Sequence, residues 1–454
     1  MALCACGQWA VGSCTLLRDG CLASTSHDRT LRLWDLDTRQ CLRVLAGHEG
    51  AVICVRELEG GAADGRAPRL VSGAWNYTLR VWDAASGACL HVLGRHVGGW
   101  VNCLCLLPGG RVASGANDGC VRVWDAGGQE PRRAVEHQWV VRALCALAGG
   151  RLVASASDDK TVRLWEAARG ACLWVLAGHS DRVVDVCAVG AGALQCASAS
   201  VDGSLRVWCA QSGECLRVLS GHTGAVWRVC ELKDGRLVSA SLDCTLRVWE
   251  GSSSSGGGGG GVGGQAAAAA AVMVLEGHSA AVFDVCELEG GRVASASGDC
   301  TVRVWGLARG VCLCTLTGHT GGVTSVCVLQ EGVLASASES SAKGQWGQHG
   351  VSCDDTLRLW RVSGEDGNGC KEGGEAVEVA ALGSARFVQL QQAAPPRLFR
   401  NSHHPLLMLD GQAHFAADVT VTATLQAGKV VVVGDFGGGV HFLELMDDKG
   451  PGGE

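Results

Sequence analysis

The sequence predicts an all-β chain, one closed ring of eight or nine four-stranded antiparallel sheets. Three observations lead there. A stretch such as SASLDCTLRVW at 239–249 keeps returning along the chain. The runs between turns are short and rich in Val, Leu and Cys. Trp supplies 15 residues against 6 Phe and 1 Tyr, an excess that needs a structural cause.

The repeat comes first. Residues 155–165 read SASDDKTVRLW, 198–208 read SASVDGSLRVW and 295–305 read SASGDCTVRVW. Weaker copies stand at 24–34, 72–82 and 114–124, and another is split between 336–338 and 354–360. Ser, His and Asp are the parts of a hydrolase triad, but an enzyme needs its site once. Repetition at this level is architecture. Gly-His occurs at Gly47-His48, Gly178-His179, Gly221-His222, Gly277-His278 and Gly318-His319, with degenerate copies at Arg95-His96 and Glu136-His137. The spacings between successive His are 48, 41, 42, 43, 56 and 41. After His278 come AVFDVCEL, RVASAS, TVRVW and VCLCTL, separated by Gly/Asp turns, and each run reads as a strand. The Ala run near 266–271 is the one segment with a convincing helical period.

Gly-His early and Trp-Asp late in a unit of 40–45 residues resembles the WD-repeat family, over about residues 3–446. Literal Trp-Asp stands at Trp34-Asp35, Trp82-Asp83 and Trp124-Asp125, and the other copies replace the Asp. The resemblance implies a β-propeller, its blades four-stranded and radial. Units begin near residues 7, 47, 95, 136, 178, 221, 277, 318 and 411, in one domain over 2–446 with a disordered tail at 447–454. It also implies a buried hydrogen-bonded tetrad in each blade: Trp indole, Ser hydroxyl, His imidazole, Asp carboxylate. The matching sets are His96/Ser114/Asp118/Trp124, His137/Ser155/Asp159/Trp165, His179/Ser198/Asp202/Trp208, His222/Ser239/Asp243/Trp249, His278/Ser295/Asp299/Trp305 and the interrupted His319/Ser336/Asp354/Trp360. The second unit has Asn76 in place of Asp and the first lacks the His, so those two blades should be less tightly braced.

The C-terminal runs 419–425, 429–435 and 439–445 look like a ninth unit short of its fourth strand. ALCAC at 2–6 is a spare strand, and pairing it there would close the ring as WD-repeat propellers usually do. Residues 361–418 resist registration. Residues 251–271, GSSSSGGGGGGVGGQAAAAAA, read as a solvated low-complexity excursion from one blade. A second insertion at 339–353 carries Trp346 and His349 and reads as a loop, with a binding arm as the alternative.

Net charge is −7, so no basic field calls for nucleic acid. The N-terminus has neither a basic n-region nor a long apolar core, and no apolar run reaches a membrane span. The 25 Cys recur in register rather than as zinc-type pairs, and are expected as small buried hydrophobes in a reducing compartment, cytoplasmic or nuclear. No cofactor, metal or catalytic centre is expected, since the phosphate-loop, zincin and nucleophile-elbow motifs are missing.

Family resemblance implies that partners dock on the narrow top face. The positions three and five residues after His, and the one before the tetrad Asp, point outward there. Shifting the third unit by one residue gives Trp75, Trp100, Asn102, Arg142, Asp158, Arg182, Trp227, Leu242 and Phe283, a set rich in interface residue types. The expected function is a non-catalytic scaffold or adaptor that binds one or more proteins or peptides within a larger assembly. Two alternatives also rest on the resemblance: the substrate-recognition subunit of a ubiquitin ligase, and the sensor half of a signalling NTPase.

Overall fold

The structure is a computed structural model. It describes residues 13–36, 38, 40–58, 68–128, 132–133, 137–190, 192, 194–251, 267–330, 333–338, 356–362, 377–383, 399–400, 406–409, 412–415, 419–423, 430–435 and 440–445. The chain divides into two compact units, Met1–Leu382 and Gly383–Glu454.

The first unit holds eight sheets in chain order, which we call blades 1 to 8, with strands a to d from the inside outward. Blade 1 runs Cys14–Leu16, Leu22–Thr25, Thr30–Trp34, Cys41–Ala46, and blade 7 runs Val282–Leu288, Arg292–Ser297, Thr301–Gly306, Val311–Thr317. The a strands of blades 2 to 6 are Val52–Leu58, Val101–Leu107, Val141–Leu147, Val183–Val189 and Val226–Glu231. Blade 8 is Val323–Gln330, Val333–Ser338, Thr356–Arg361 and Val377–Gly383, so its outer strand comes from the stretch that resists registration.

Each a strand lies beside the next, and Cys14–Leu16 lies beside Val323–Gln330, which closes a circle of eight. Closure is by packing: Leu22 and Trp34 of blade 1 meet Leu329, Ala335, Ala337, Leu357 and Leu359 of blade 8. The expected strand 2–6 lies outside the described residues. The ninth set of strands exists, but in the second unit, as the sheet Phe399–Arg400, Val440–Leu445, Val430–Asp435, Val419–Ala423. The place beside Val440–Leu445 that an N-terminal strand was expected to fill is taken by Phe399–Arg400. A separate hairpin pairs Leu406–Leu409 with Gln412–Phe415.

The core lies between blades rather than at the centre of the disc. Alternating side chains of strands b and c cover both faces of every sheet, as in RVASAS and TVRVW of blade 7. Each seam is filled by the c-strand Trp of one blade against its predecessor: Trp82 on blade 1, Trp124 on blade 2, and so on to Trp360 on blade 7 and Trp34 on blade 8. Burying an indole removes more apolar surface from water than any other side chain does, which accounts for the Trp excess.

Every one of these indoles donates to a Ser. In blade 6, Trp249 Nε1 donates to Ser239 Oγ at 2.9 Å, Ser239 Oγ lies 2.8 Å from His222 Nε2, and His222 Nδ1 lies 2.8 Å from Asp243 Oδ2. Four other blades repeat the chain. In blade 3, Ser114 accepts from Trp124 at 2.7 Å and meets His96, which reaches Asp118. In blade 4, Ser155 accepts from Trp165 at 2.7 Å and meets His137, which reaches Asp159. In blade 5, Ser198 accepts from Trp208 at 2.9 Å and meets His179, which reaches Asp202. In blade 7, Ser295 accepts from Trp305 at 2.8 Å and meets His278, which reaches Asp299. Blade 8 shows Trp360, Ser336 and His319 in contact, while Asp354 lies outside the described residues. In blade 2, Asn76 Oδ1 stands 3.2 Å from His48 Nδ1, and among the described residues of blade 1 the chain stops at Trp34–Ser24.

The Asp also organises the turns around it. Asp243 Oδ2 accepts from the Thr223 amide at the start of the blade, and its Oδ1 accepts from the Thr245 amide and hydroxyl across the b–c turn. Gly221, before the His, sits at φ +156°, a backbone conformation that L side chains rarely adopt.

From residue 267 the 251–271 excursion departs from expectation, and its residues 252–266 lie outside the described ones. Ala267–Ala269 is a strand that pairs in parallel with Arg217–Leu219 on the outer edge of blade 5, neither helix nor solvated loop. Ala is a good helix former, but an open strand edge offers three residues of ladder and the propensity is a weak prior. The chain then continues into strand d of blade 6, Met273–Leu275.

Two predictions concern stability. Ser239→Ala strips a partner from both Trp249 and His222, and is expected to cost about 2–3 kcal/mol. Ser24→Ala, with no His behind it, is expected to cost roughly half that. Urea denaturation measures both, and equal costs would contradict the tetrad account.

The second concerns pH. Burial pushes His48 down from 6.5 to about 4, and burial likewise lowers His96, His137 and His222. Burial works to raise Asp118 and Asp243 too, but hydrogen bonds from His96 in one case, and from Thr245 and His222 in the other, hold both at about 2. Between pH 6.5 and 4 the unfolded chain therefore binds more protons at His48 than the folded chain, and between 3.8 and 2 more at the two Asp. Stability is expected to fall in two stages as pH falls through these windows. Melting temperatures across the range test this, and a flat profile from pH 7 to about 4.5 would refute the first stage.

Candidate functional site

Strand a of blades 2 to 8 carries a β-bulge, and the bulged residues are Ile53, Asn102, Arg142, Val184, Trp227, Phe283 and Thr324. A bulge leaves one residue unpaired and re-aims its side chain. Repeated around the circle, it turns one residue per blade toward the axis. All seven line a single cavity of about 800 Å³ in the central channel.

Counting from the His places six of these seven at the fifth position. In blade 3 the bulge falls at Asn102, six residues after His96, and Cys105 faces Ala113 as Cys145 faces Ala154 in blade 4. The extra residue sits in the d–a loop.

The tetrads stand apart from this cavity. Ser114, Ser155, Ser198, Ser239, Ser295 and Ser336 are all fully buried, and none of them lines the channel. A hydroxyl closed off from solvent and already bonded to an indole and an imidazole cannot meet a substrate or a partner. In blades 3 to 7 the Ser, His and Asp are thus bonded to one another inside the fold, apart from the channel.

The cavity also takes in Asp158, Arg182 and Leu242, so seven of the nine predicted top-face residues line it. Arg142 and Asp158 form a two-pronged ion pair, Nε to Oδ1 at 2.9 Å and Nη2 to Oδ2 at 2.6 Å. Leu242 is 39% exposed. Asn102 is buried and donates to Asn117 Oδ1 and to the Val141 carbonyl of the next blade. Its own Oδ1 and the Trp227 Nε1 are buried and have no hydrogen-bond partner among the described residues.

Trp75 and Trp100 behave differently. They do not line the cavity, and neither stands free as an anchor. Their rings stack on each other at 4.5 Å with 17° between planes, and His27 meets Trp75 edge-on at 5.0 Å. Mutual stacking across blades 2 and 3 half-buries both, which is why two large indoles are tolerated at the rim.

Other exposed or channel residues were not read from the sequence. Trp139, in the d–a loop of blade 4, is 64% exposed, and Val97 is 81% exposed. The signal for Trp139 was an aromatic two residues after the His, where the other units have Gly, Ala or Asp. Deeper in the channel, Arg228 lies between Asp185 at 3.6 Å and Asp284 at 3.2 Å, spanning blades 5 to 7. The two carboxylates raise the Arg228 pKa, Asp185 foremost, while burial raises that of Asp284 against the pull of Arg228. Each Asp also accepts from a backbone amide of the next blade, Val229 and Val326, so the triad ties inner strands together. A charge inside each of the apolar runs VVDVCAV, VWRVC and VFDVCEL was its trace in the sequence.

The cysteines meet the buried-hydrophobe expectation in part: Cys54, Cys105, Cys120 and Cys196 are buried. Cys14, Cys54, Cys103, Cys145, Cys187, Cys230 and Cys327 line the channel, and Cys41 and Cys89 are exposed on outer strands. A thiol on strand a sits at the inner edge, where only part of the side chain is covered by a neighbouring blade. Burial raises the pKa of Cys54 to about 12 and of Cys105 to about 11, so these are thiols at neutral pH. No group of three or more His, Cys, Asp or Glu among the described residues could hold a metal ion. No helix among them is long and apolar enough to cross a membrane. Trp346, His349 and the rest of the 339–353 insertion lie outside the described residues.

Comparison with known proteins agrees with this geometry. The family model described as WD domain, G-beta repeat matches residues 3–35, 39–83, 87–125, 129–166, 170–209, 213–250, 270–306 and 310–361. The chain is 30% identical over 164 residues to nuclear distribution protein PAC1 of Coccidioides posadasii, covering 33% of this chain and 35% of that one. It is 33% identical over 197 residues to nuclear distribution protein PAC1-2 of Uncinocarpus reesii, covering 37% and 41%. The match thus spans well under half the length of these curated relatives. Among solved structures, the computationally designed Ika8 protein superposes with a TM-score of 0.63 at 26% identity, over 78% of this chain and 98% of that one. Eight family repeats, each holding strands a to c of one blade of a closed ring, show that the chain belongs to the WD-repeat, or WD40, family.

Proposed function

We propose that this chain is a non-catalytic interaction scaffold, and that it binds an extended peptide segment of a protein partner at the top mouth of its channel. One observation carries the reading: seven blades each aim one bulged residue at the same cavity. The mouth supplies an aromatic and aliphatic wall in Trp227, Phe283 and Leu242, and polar groups in Asn102, Arg142, Asp158 and Arg182. An unsatisfied buried acceptor at Asn102 and an unsatisfied donor at Trp227 each cost about 1–3 kcal/mol. A peptide amide offers the matching N–H and C=O, and small rotations of the two side chains would bring them to it.

The partner is a protein or peptide, and the chain works as a subunit of a larger assembly. The many free thiols are in keeping with a cytoplasmic or nuclear setting. Partial similarity to proteins named for nuclear distribution makes that process the first in which to seek the partner.

The test is affinity capture from native extract with the folded wild type, an Arg142→Ala/Trp227→Ala variant and a Trp174→Ala control. Trp174 sits on the outer rim, against Gly213 of the next blade. Partners captured by wild type and control are expected to be lost with the mouth variant, and purified partner to bind it about 30-fold more weakly or worse, as hot-spot losses of 2 kcal/mol or more imply. Full retention by the mouth variant, or loss with the rim control alone, overturns the reading.

A further inference from the structure

Seven of the eight seams in the ring join blades consecutive in the chain. The eighth, between blade 8 and blade 1, joins segments far apart in sequence. Across it, Cys14 Sγ and Cys327 Sγ stand 2.8 Å from one another, 313 residues apart along the chain. Both residues line the channel cavity, so a small oxidant can reach them from solvent. The seam otherwise rests on apolar packing around Trp34, and blade 1 has no tetrad His to brace it.

We propose that Cys14 and Cys327 are an oxidative modification site, forming a disulfide that locks blade 1 to blade 8 in response to hydrogen peroxide or an organic hydroperoxide. Both thiols are half-buried, and Cys14 is the one that reacts first. Its partner is held as the thiol: the contact with Cys14, then burial, raises the Cys327 pKa well above the ordinary value. The Cys14 sulfur attacks the peroxide and takes up one oxygen as sulfenic acid, and the second oxygen takes up the Cys14 thiol proton and leaves as water or alcohol. Cys327 sulfur then attacks Cys14 sulfur and displaces hydroxide, which takes up the Cys327 proton and leaves as water. Two thiols are oxidised by two electrons and one peroxide is reduced by two. A cellular dithiol reverses the step by exchange.

The reduced protein is the resting form and the disulfide its oxidised form. A cross-link closing so long a loop constrains the unfolded chain more than a short one would, so oxidation should stabilise the ring.

The experiment treats the reduced full chain with hydrogen peroxide, then combines non-reducing peptide mapping with melting measurements. The map of the wild type is expected to show the peptide containing Cys14 joined to that containing Cys327, with the loss of two hydrogens. The melting temperature is expected to rise by a few degrees, and to return with dithiothreitol. Cys14→Ser should abolish the rise, while Cys41→Ser, on the exposed outer strand, should keep it. A wild-type map without the Cys14–Cys327 peptide at full peroxide consumption overturns the proposal, whether or not the variants fold. A rise that survives in folded Cys14→Ser does so as well.

Discussion

The structure depends on one chain of hydrogen bonds made over and over, from Trp indole through Ser and His to Asp. It solves two problems together. The indole must be buried to fill a seam between blades, and its N–H must then find an acceptor in a place water cannot reach. The Ser on the adjacent strand provides it, the His supports the Ser, and the Asp, at the next turn, anchors the His while capping the turn itself. Blades 3 to 7 are each thereby tied from their inner loop to their third strand. A propeller has no common core, so eight local solutions must do what one large core does elsewhere.

What could be read beforehand follows from that modularity. Strands, turns and the His, Ser, Asp and Trp positions recur at fixed spacing, and noise in one unit is averaged out by the others. Ser114, Ser155, Ser198 and Ser295 are legible for that reason: each stands ten residues before its Trp, and each accepts from it. Features that occur once are harder. The sequence alone does not choose between eight and nine blades, because 419–445 has strand-like runs of its own and nothing local says that they form a sheet with Phe399–Arg400. The outer strand of blade 8, Val377–Gly383, carries no register signal after the intervening polar stretch. The Ala run misleads because its helical propensity is local, whereas the edge it covers belongs to the preceding blade.

The site shows the same division. Counting from the His finds the residue that the bulge turns inward, because the bulge recurs in seven blades. Counting cannot tell whether an indole so placed faces solvent or a neighbour. Trp75 and Trp100 stack because blades 2 and 3 bring them within 4.5 Å, a fact of assembly rather than of either repeat. Likewise, Asp185, Arg228 and Asp284 look like three separate polar intrusions into apolar strands until the ring sets them side by side. The half-exposed Arg228 compensates the burial of the two carboxylates, which single repeats could not do.

The strand Ala267–Ala269 matters for the order of events as the chain is made. Blade 5 has all four of its own strands once residue 220 has been synthesised, yet its outer edge finds its cover only when residue 269 follows. At synthesis rates of roughly 5–20 residues per second, that edge waits some seconds with its amides and carbonyls bare. A naked strand edge is a template for pairing with other chains. The length of chain from residue 220 to residue 267, which includes the first three strands of blade 6, is therefore a timing element: it sets how long a nascent blade must stay soluble before its own chain returns to cover it.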